Sequence, residues 1–197
     1  DQLGAALADA AVDARVRVII LAANGPAFCA GHDLKEMTAG RAHADSGEAY
    51  FTDVLKRCSS VMMSILQNPK PVIAEVAATA TAAGCQLVAS CDLAYAAASA
   101  RFSTPGVHIG LFCSTPMVAL SRNVGAKHAM EMLLTGDMVA ADRAAEIGLI
   151  NAVVDDAELG DHVNAIAQKI ASKSPVSLAI GKSAFYAQRE LSIADAY

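Results

Sequence analysis

Two stretches of this chain place small residues between a strand-like run and a helix-like one. They are Phe28-Cys29-Ala30-Gly31-His32-Asp33-Leu34-Lys35-Glu36-Met37 and Ala80-Thr81-Ala82-Ala83-Gly84-Cys85-Gln86-Leu87. A helix that starts after such a turn leaves its first backbone N–H groups free, at the positive end of the helix dipole. Two such turns brought together make a two-donor oxyanion hole, the device that stabilises a thioester enolate or a tetrahedral oxyanion. The alternative is packing alone, with Ala82, Ala83 and Gly84 letting a helix lie close on a strand.

Other residues with chemical potential are scattered. The amide of Gln86 can orient a water or a carbonyl but cannot exchange a proton near neutral pH, and Gly106 offers only backbone. His108 lies two positions beyond Gly106, so in extended backbone the two would face the same way. It reads either as a base active near neutral pH or as a hydrogen-bonded packing residue. Cys113-Ser114-Thr115 reads either as a nucleophile-bearing loop or as a buried thiol beside a helix cap. The five histidines (His32, His43, His108, His128, His162) lack metal-ligand spacing. No G-x-G-x-x-G or Walker pattern supports a nucleotide-binding domain built on Gly31 or Gly84.

The elements that must position these residues alternate. Residues 3–11 read as the end of an alanine-rich helix, and 15–22 as a buried β-branched strand ending in Asn24-Gly25-Pro26. Asp33 and Glu36 have the spacing of a helix N-cap with a reciprocal carboxylate. Residues 38–47 read as an irregular polar loop and 51–66 as a helix. A second strand spans 72–76, and a short helix spans 83–90. Short strands are predicted at 92–97, 101–103 and 149–154, with a turn at 104–106. Helices are predicted at 116–124, 127–134, 141–147 and 157–172. This order indicates an α/β architecture with helices beside a core of sheet.

Composition narrows the function classes. At 197 residues, with 54% hydrophobic and 18% charged residues, the chain suits one well-packed α/β domain. The net charge of −5 argues against nonspecific nucleic-acid binding, and no apolar stretch reaches membrane-spanning length. Cys29, Cys58, Cys85, Cys91 and Cys113 lie mostly among small apolar neighbours, the usage of buried thiols in a reducing compartment.

The first turn resembles the F-x-A-G-x-D-[IL]-K motif of the enoyl-CoA hydratase/isomerase (crotonase) superfamily, at Phe28, Ala30, Gly31, Asp33, Leu34 and Lys35. The second resembles that family's glycine-rich turn and helix, with Gly84-Cys85, Leu87, Cys91 and Asp92 in place. Phe102, Pro105, Gly110, Thr135-Gly136, Ala141, Ala144, Gly148-Leu149, Val153, Ser174-Pro175 and Lys182 match its later landmarks in order. The resemblance implies a crotonase-like α/β spiral of strand–strand–helix units over residues 1–134. It implies a C-terminal helical oligomerisation region over 135–197, forming a homotrimer or a dimer of trimers.

It also implies a site. The oxyanion donors would be the N–H groups of His32 and Ala83, and coenzyme A would meet Phe28, Ala30 and Lys35. The ligand would be a coenzyme A thioester bound as substrate, with no resident cofactor and no metal. Gln86 and Gly106 stand where the family's hydratases carry two catalytic glutamates, so two-glutamate hydration is not expected, and His108 is the candidate replacement base. A crotonase-fold scaffold that binds CoA without chemistry is the rival reading. The chain opens at Asp1 inside a helix-like pattern, so an opening strand and part of the ligand site are expected ahead of it, with the helical tail cut short at Tyr197. The expected compartment is the cytoplasm for a bacterial protein and the mitochondrial matrix for a eukaryotic one.

Overall fold

Parallel strands covered on both faces need apolar residues at successive positions, and Val72-Ile73-Ala74 supplies them. The computed structural model describes residues 1–197. β1 (Ile19–Leu21), β3 (Val72–Val76), β5 (Leu93–Ala97) and β8 (Ala152–Val154) lie side by side in an all-parallel sheet. A second sheet holds β2 (Ala27–Cys29), β4 (Thr79–Thr81) and β6 (Arg101–Ser103) in parallel, with β7 (Val139–Ala140) antiparallel at its edge.

The chain passes from the first sheet to the second and then out through a helix, three times. β1 and β2 lead to α2 (Leu34–Gly40), β3 and β4 to α4 (Ala83–Ser90), and β5 and β6 to a 3-10 turn at Pro105–Ile109. This is the crotonase-like spiral of strand–strand–helix units that the resemblance implies. The remaining helices are α1 (Gln2–Val12), α3 (Glu48–Leu66), α5 (Ser114–Asn123), α6 (Ala126–Thr135), α7 (Ala141–Glu146), α8 (Leu159–Ala171), α9 (Pro175–Gln188) and α10 (Ile193–Ala196).

Side-chain alternation divides the core. Val72, Ala74 and Val76 face a large cluster that includes Cys85, Val88, Phe102, Leu120 and Leu133. Ile73 points the other way, where Leu159 and Val163 of α8 join Tyr95 and Ala97 beneath the first sheet. Both faces of β3 are therefore packed against apolar side chains.

Several local expectations give way to tertiary structure. Residues 15–18 form no strand, because β1 pairs with β3 only from Ile19. Residues 27–29 and 79–81, expected as turn, are strands, since each finds a partner in the second sheet. Within the predicted loop at 38–47, α2 continues to Gly40, where an added Cβ would strike the Tyr50 ring. The region beyond residue 134 is helical in large part, but it also supplies β7 and β8, so both sheets cross that boundary.

The last long helix is held differently from the others. No residue of α9 is buried, yet Lys182 inserts from it, its Nζ donating to Ile65 O (2.8 Å), Lys70 O (3.0 Å) and Asp92 Oδ2 (2.6 Å). Asp92 also accepts from Val72 N (2.7 Å) and Tyr186 OH (2.8 Å). Burial pushes the Lys182 ammonium down from its ordinary range, partly offset by the Asp92 carboxylate. Burial, with that same carboxylate, pushes the Tyr186 phenol up.

Candidate active site at two strand ends

β2 and β4 pair in parallel, so the residues that follow them emerge side by side. Gly31 has φ +94°, a conformation glycine adopts freely. A Cβ added there would sit 3.0 Å from Ala82 Cβ and 3.3 Å from Ala83 N. The two turns are thus in van der Waals contact. Thr81 Oγ1 fastens them by donating to Ala30 O (3.1 Å). One residue further on, Gly84 packs so closely on Cys29 that an added Cβ would overlap its carbonyl oxygen.

Ala82 makes the corner. Its backbone lies at φ 51°, ψ −118°, which costs a non-glycine residue about 1–3 kcal/mol. The neighbouring strand enforces it, with Ala82 N donating to Ser103 O (3.0 Å), while Ala82 O accepts from Gln86 N (3.0 Å). Ala83 is the first residue of α4, so its N–H lies ahead of the intrahelical ladder. His32 N–H, on the facing turn, finds no acceptor within the protein. Asp33 caps α2, accepting from Lys35 N (2.7 Å) and Glu36 N (3.4 Å), but the reciprocal bond expected from Glu36 does not form. Phe28 is half-buried against the main core, Ala30 is exposed, and Lys35 stands on the exposed face of α2.

Gln86 follows one helical turn after Ala83 and is buried, 5% exposed. Its Oε1 has no hydrogen-bond partner within the protein, and neither has Ser103 Oγ. Gln86 also lines a cavity of about 800 Å³ between α3, α5 and α9, together with Met62, Leu66, Ala119 and Tyr186. The walls of that cavity do not include His32, Ala83 or Gly106.

The structure does not bring Gly106 and His108 together as expected. Residues 105–109 wind into a 3-10 turn, so a separation of two does not place both on one face. The His108 ring instead reaches the end of α6, with Nε2 3.3 Å from Gly136 O. Gly106 N–H donates to Cys113 Sγ (3.3 Å), and Gly106 O accepts from Leu111 N (2.9 Å), closing a small loop. A Cβ at 106 would meet Cys113 Sγ at 2.9 Å, Leu111 O at 3.1 Å and Cys113 N at 3.2 Å. The Cys113 thiol is pushed up by burial, partly offset by the Gly106 N–H, and that of Cys85 is pushed up to about 12 by burial. Cys113 therefore stays protonated and serves as a packing and accepting group, not an activated nucleophile. Sequence reasoning did not find this thiol–glycine contact; the one available signal was a glycine and a cysteine flanking a short segment.

The enoyl-CoA hydratase/isomerase family model matches residues 1–196. The chain is 50% identical over 182 residues to the mitochondrial enoyl-CoA hydratase domain-containing protein 3 of Rattus norvegicus, covering 92% of this chain and 59% of the relative. It is likewise 50% identical to the Homo sapiens protein of that name, over 92% of this chain and 58% of the relative. The chain thus spans about six-tenths of the length of these curated relatives. The crystal structure of enoyl-CoA hydratase from Mycobacterium smegmatis superposes with a TM-score of 0.94 at 52% identity, covering 100% of this chain and 74% of that one. The crystal structure of human enoyl-CoA hydratase domain-containing protein 3 gives 0.93 at 47% identity, over 100% and 76%.

Proposed function

The chain belongs to the enoyl-CoA hydratase/isomerase family, and from that premise we propose an acyl-CoA-binding enzyme that polarises a thioester carbonyl with the N–H groups of His32 and Ala83. The observation that supports this reading is the contact of Gly31, the residue ahead of His32, with Ala82 Cβ and Ala83 N, which brings the two turns together. An oxyanion developing there gains two donors already fixed by the backbone, and each such donor is worth about 10²–10³-fold in rate. Phe28, Ala30 and Lys35, beside the first turn, supply the proposed contacts to coenzyme A, which binds as part of the substrate.

Proton transfer is the missing half. Gln86 and Gly106 hold no carboxylate, and general acid–base help is worth about 10²–10⁴-fold. The proposed chemistry is therefore enolate stabilisation without efficient two-glutamate hydration. His108 is not assigned a role, because its ring is turned to Gly136. The closed Gly106–Cys113 loop favours the second reading, a CoA-binding scaffold that keeps the fold without the chemistry. The exposed apolar side chains Val176, Ile180, Phe185, Leu191 and Ile193 support a homotrimer or dimer of trimers built through the C-terminal helices.

Calorimetric titration with butyryl-CoA, together with a hydration assay on crotonyl-CoA, tests these readings. We expect saturable binding that Gly31→Val abolishes, and hydration far below ordinary enzymatic rates. Ordinary hydration that Gln86→Ala abolishes would overturn the assignment of Gln86 as unable to support catalysis. Binding without turnover of any acyl-CoA in a panel would favour the scaffold.

A further inference from the structure

The cavity of about 800 Å³ between α3, α5 and α9 lies apart from the two turns, since His32, Ala83 and Gly106 are not among its walls. Its size falls in the range of small-molecule sites, about 300–1,000 Å³. Met62 and Ala89 are buried in its depth, with Leu66 and Ala119 beside them. Gln86, the wall residue it shares with the candidate site, is buried there as well and carries no charge. Tyr186 turns its phenol away, donating to Asp92 Oδ1 (2.8 Å). The inner part of the cavity is therefore free of charge.

Charge gathers at the mouth instead. The remaining ionisable wall residues are Arg122, Arg189 and Glu190, and all three are exposed. Glu190 pairs with Arg122, Oε1 to Nε at 3.3 Å. Arg189 donates to the Arg122 carbonyl oxygen and has no carboxylate partner in the protein. Two guanidiniums against one carboxylate leave a positive charge over. A guanidinium presents a planar fork that matches a carboxylate. Glu190 beside it tolerates a singly charged head and opposes a doubly charged one. From Ala179 to Arg189, α9 runs for about 15 Å along the cavity, a length suited to a long chain.

We propose that this cavity is a second ligand site, separate from the CoA site, that takes a long-chain carboxylic acid with its head on Arg189 and its tail between α3 and α5. The test is fluorescence displacement of cis-parinaric acid from the full chain by palmitate, octanoate, methyl palmitate, hexadecyl phosphate and butyryl-CoA. Palmitate is expected to bind at one site per chain and more than about tenfold tighter than octanoate, because each buried methylene adds up to about fourfold. Arg189→Gln should weaken palmitate by about tenfold or more and leave methyl palmitate unchanged, the loss of a charge-assisted hydrogen bond. Ala179→Trp, which fills the cavity from α9, should abolish both. Unchanged palmitate binding in Arg189→Gln, or hexadecyl phosphate binding tighter than palmitate, would overturn the proposal. So would displacement by butyryl-CoA, which would merge this cavity with the CoA site, or the absence of saturable binding. Should the tryptophan variant fail to fold, Arg189→Gln at its exposed position decides alone. Failure of every CoA ester to bind would remove the proposed function and leave this site standing.

Discussion

Replacing Gly84 by alanine probes the contact on which the site depends. Gly84 is the second residue of α4, and on helix propensity alone the change stabilises by about 1 kcal/mol. Here the new Cβ overlaps the Cys29 carbonyl oxygen and lies 2.7 Å from the Cys29 carbonyl carbon and 2.8 Å from its Cβ. Ordinary contact begins near 3.4 Å, so relief of the closest contact, with the carbonyl oxygen, requires β2 and α4 to part by about 1.5 Å. Overpacking of this kind costs about 1–3 kcal/mol, and backbone on both sides of the clash puts Gly84 at the upper end. The net expectation is a loss of about 2 kcal/mol after the propensity gain. Gly181→Ala in α9 is the matched control, because nothing lies within 4 Å of the added methyl. It should gain up to about 1 kcal/mol. Urea unfolding followed by circular dichroism compares the two. The same substitution must shift the midpoint in opposite directions; Gly84→Ala unfolding at or above the unmodified midpoint would refute the packing argument.

Three further outcomes are expected. Gly106→Ala should destabilise by about 1–2 kcal/mol through contact with Cys113 Sγ, and Cys113→Gly in the same chain should recover part of that loss in a double-mutant cycle. Asp92→Asn should cost about 3 kcal/mol or more in urea unfolding, because it strands the buried Lys182 ammonium without its counter-charge. The pH dependence follows from the buried thiols. Burial raises the folded titration of Cys85 from 9.0 to about 12, so its contribution is fully present below pH 9 and is lost as pH climbs toward 12. Stability measured across that window should fall, and Cys85→Ala should flatten the fall. A thiol-reactive dye at pH 8 should meanwhile leave Cys85, Cys91 and Cys113 unlabelled in the native protein and reach all five cysteines in denaturant.

What the sequence announced was local chemistry; what it withheld was partnership. Asp33 before Leu34 is a capping residue, and its side chain caps as its type demands. The runs at 72–76 and 159–171 carry their own periodicity and fold accordingly. Residues 27–29 and 79–81 are too short to show alternation, so only their pairing across fifty residues reveals them as strands. The 3-10 turn after Thr104 could not be told from extended chain by composition, and the facing of His108 went with it. The contacts Gly106–Cys113 and Asp92–Lys182 join residues 7 and 90 positions apart, which no local pattern encodes. In the candidate site, the identity of the turns was readable, whereas the strain at Ala82 and the unpartnered Gln86 oxygen were not.

The stacked passes of the chain have a consequence for how such a site can change over time. On the proposed reading, carbonyl polarisation falls to main-chain N–H groups at the ends of β2 and β4, whereas proton transfer would depend on side chains at 86 and 106. Main-chain donors survive most side-chain replacements, so the holding function is insulated from the acting one. A lineage can therefore exchange its acids for an amide and a glycine on adjacent rungs, and so change its chemistry, while the cradle for the carbonyl stays where the strands put it.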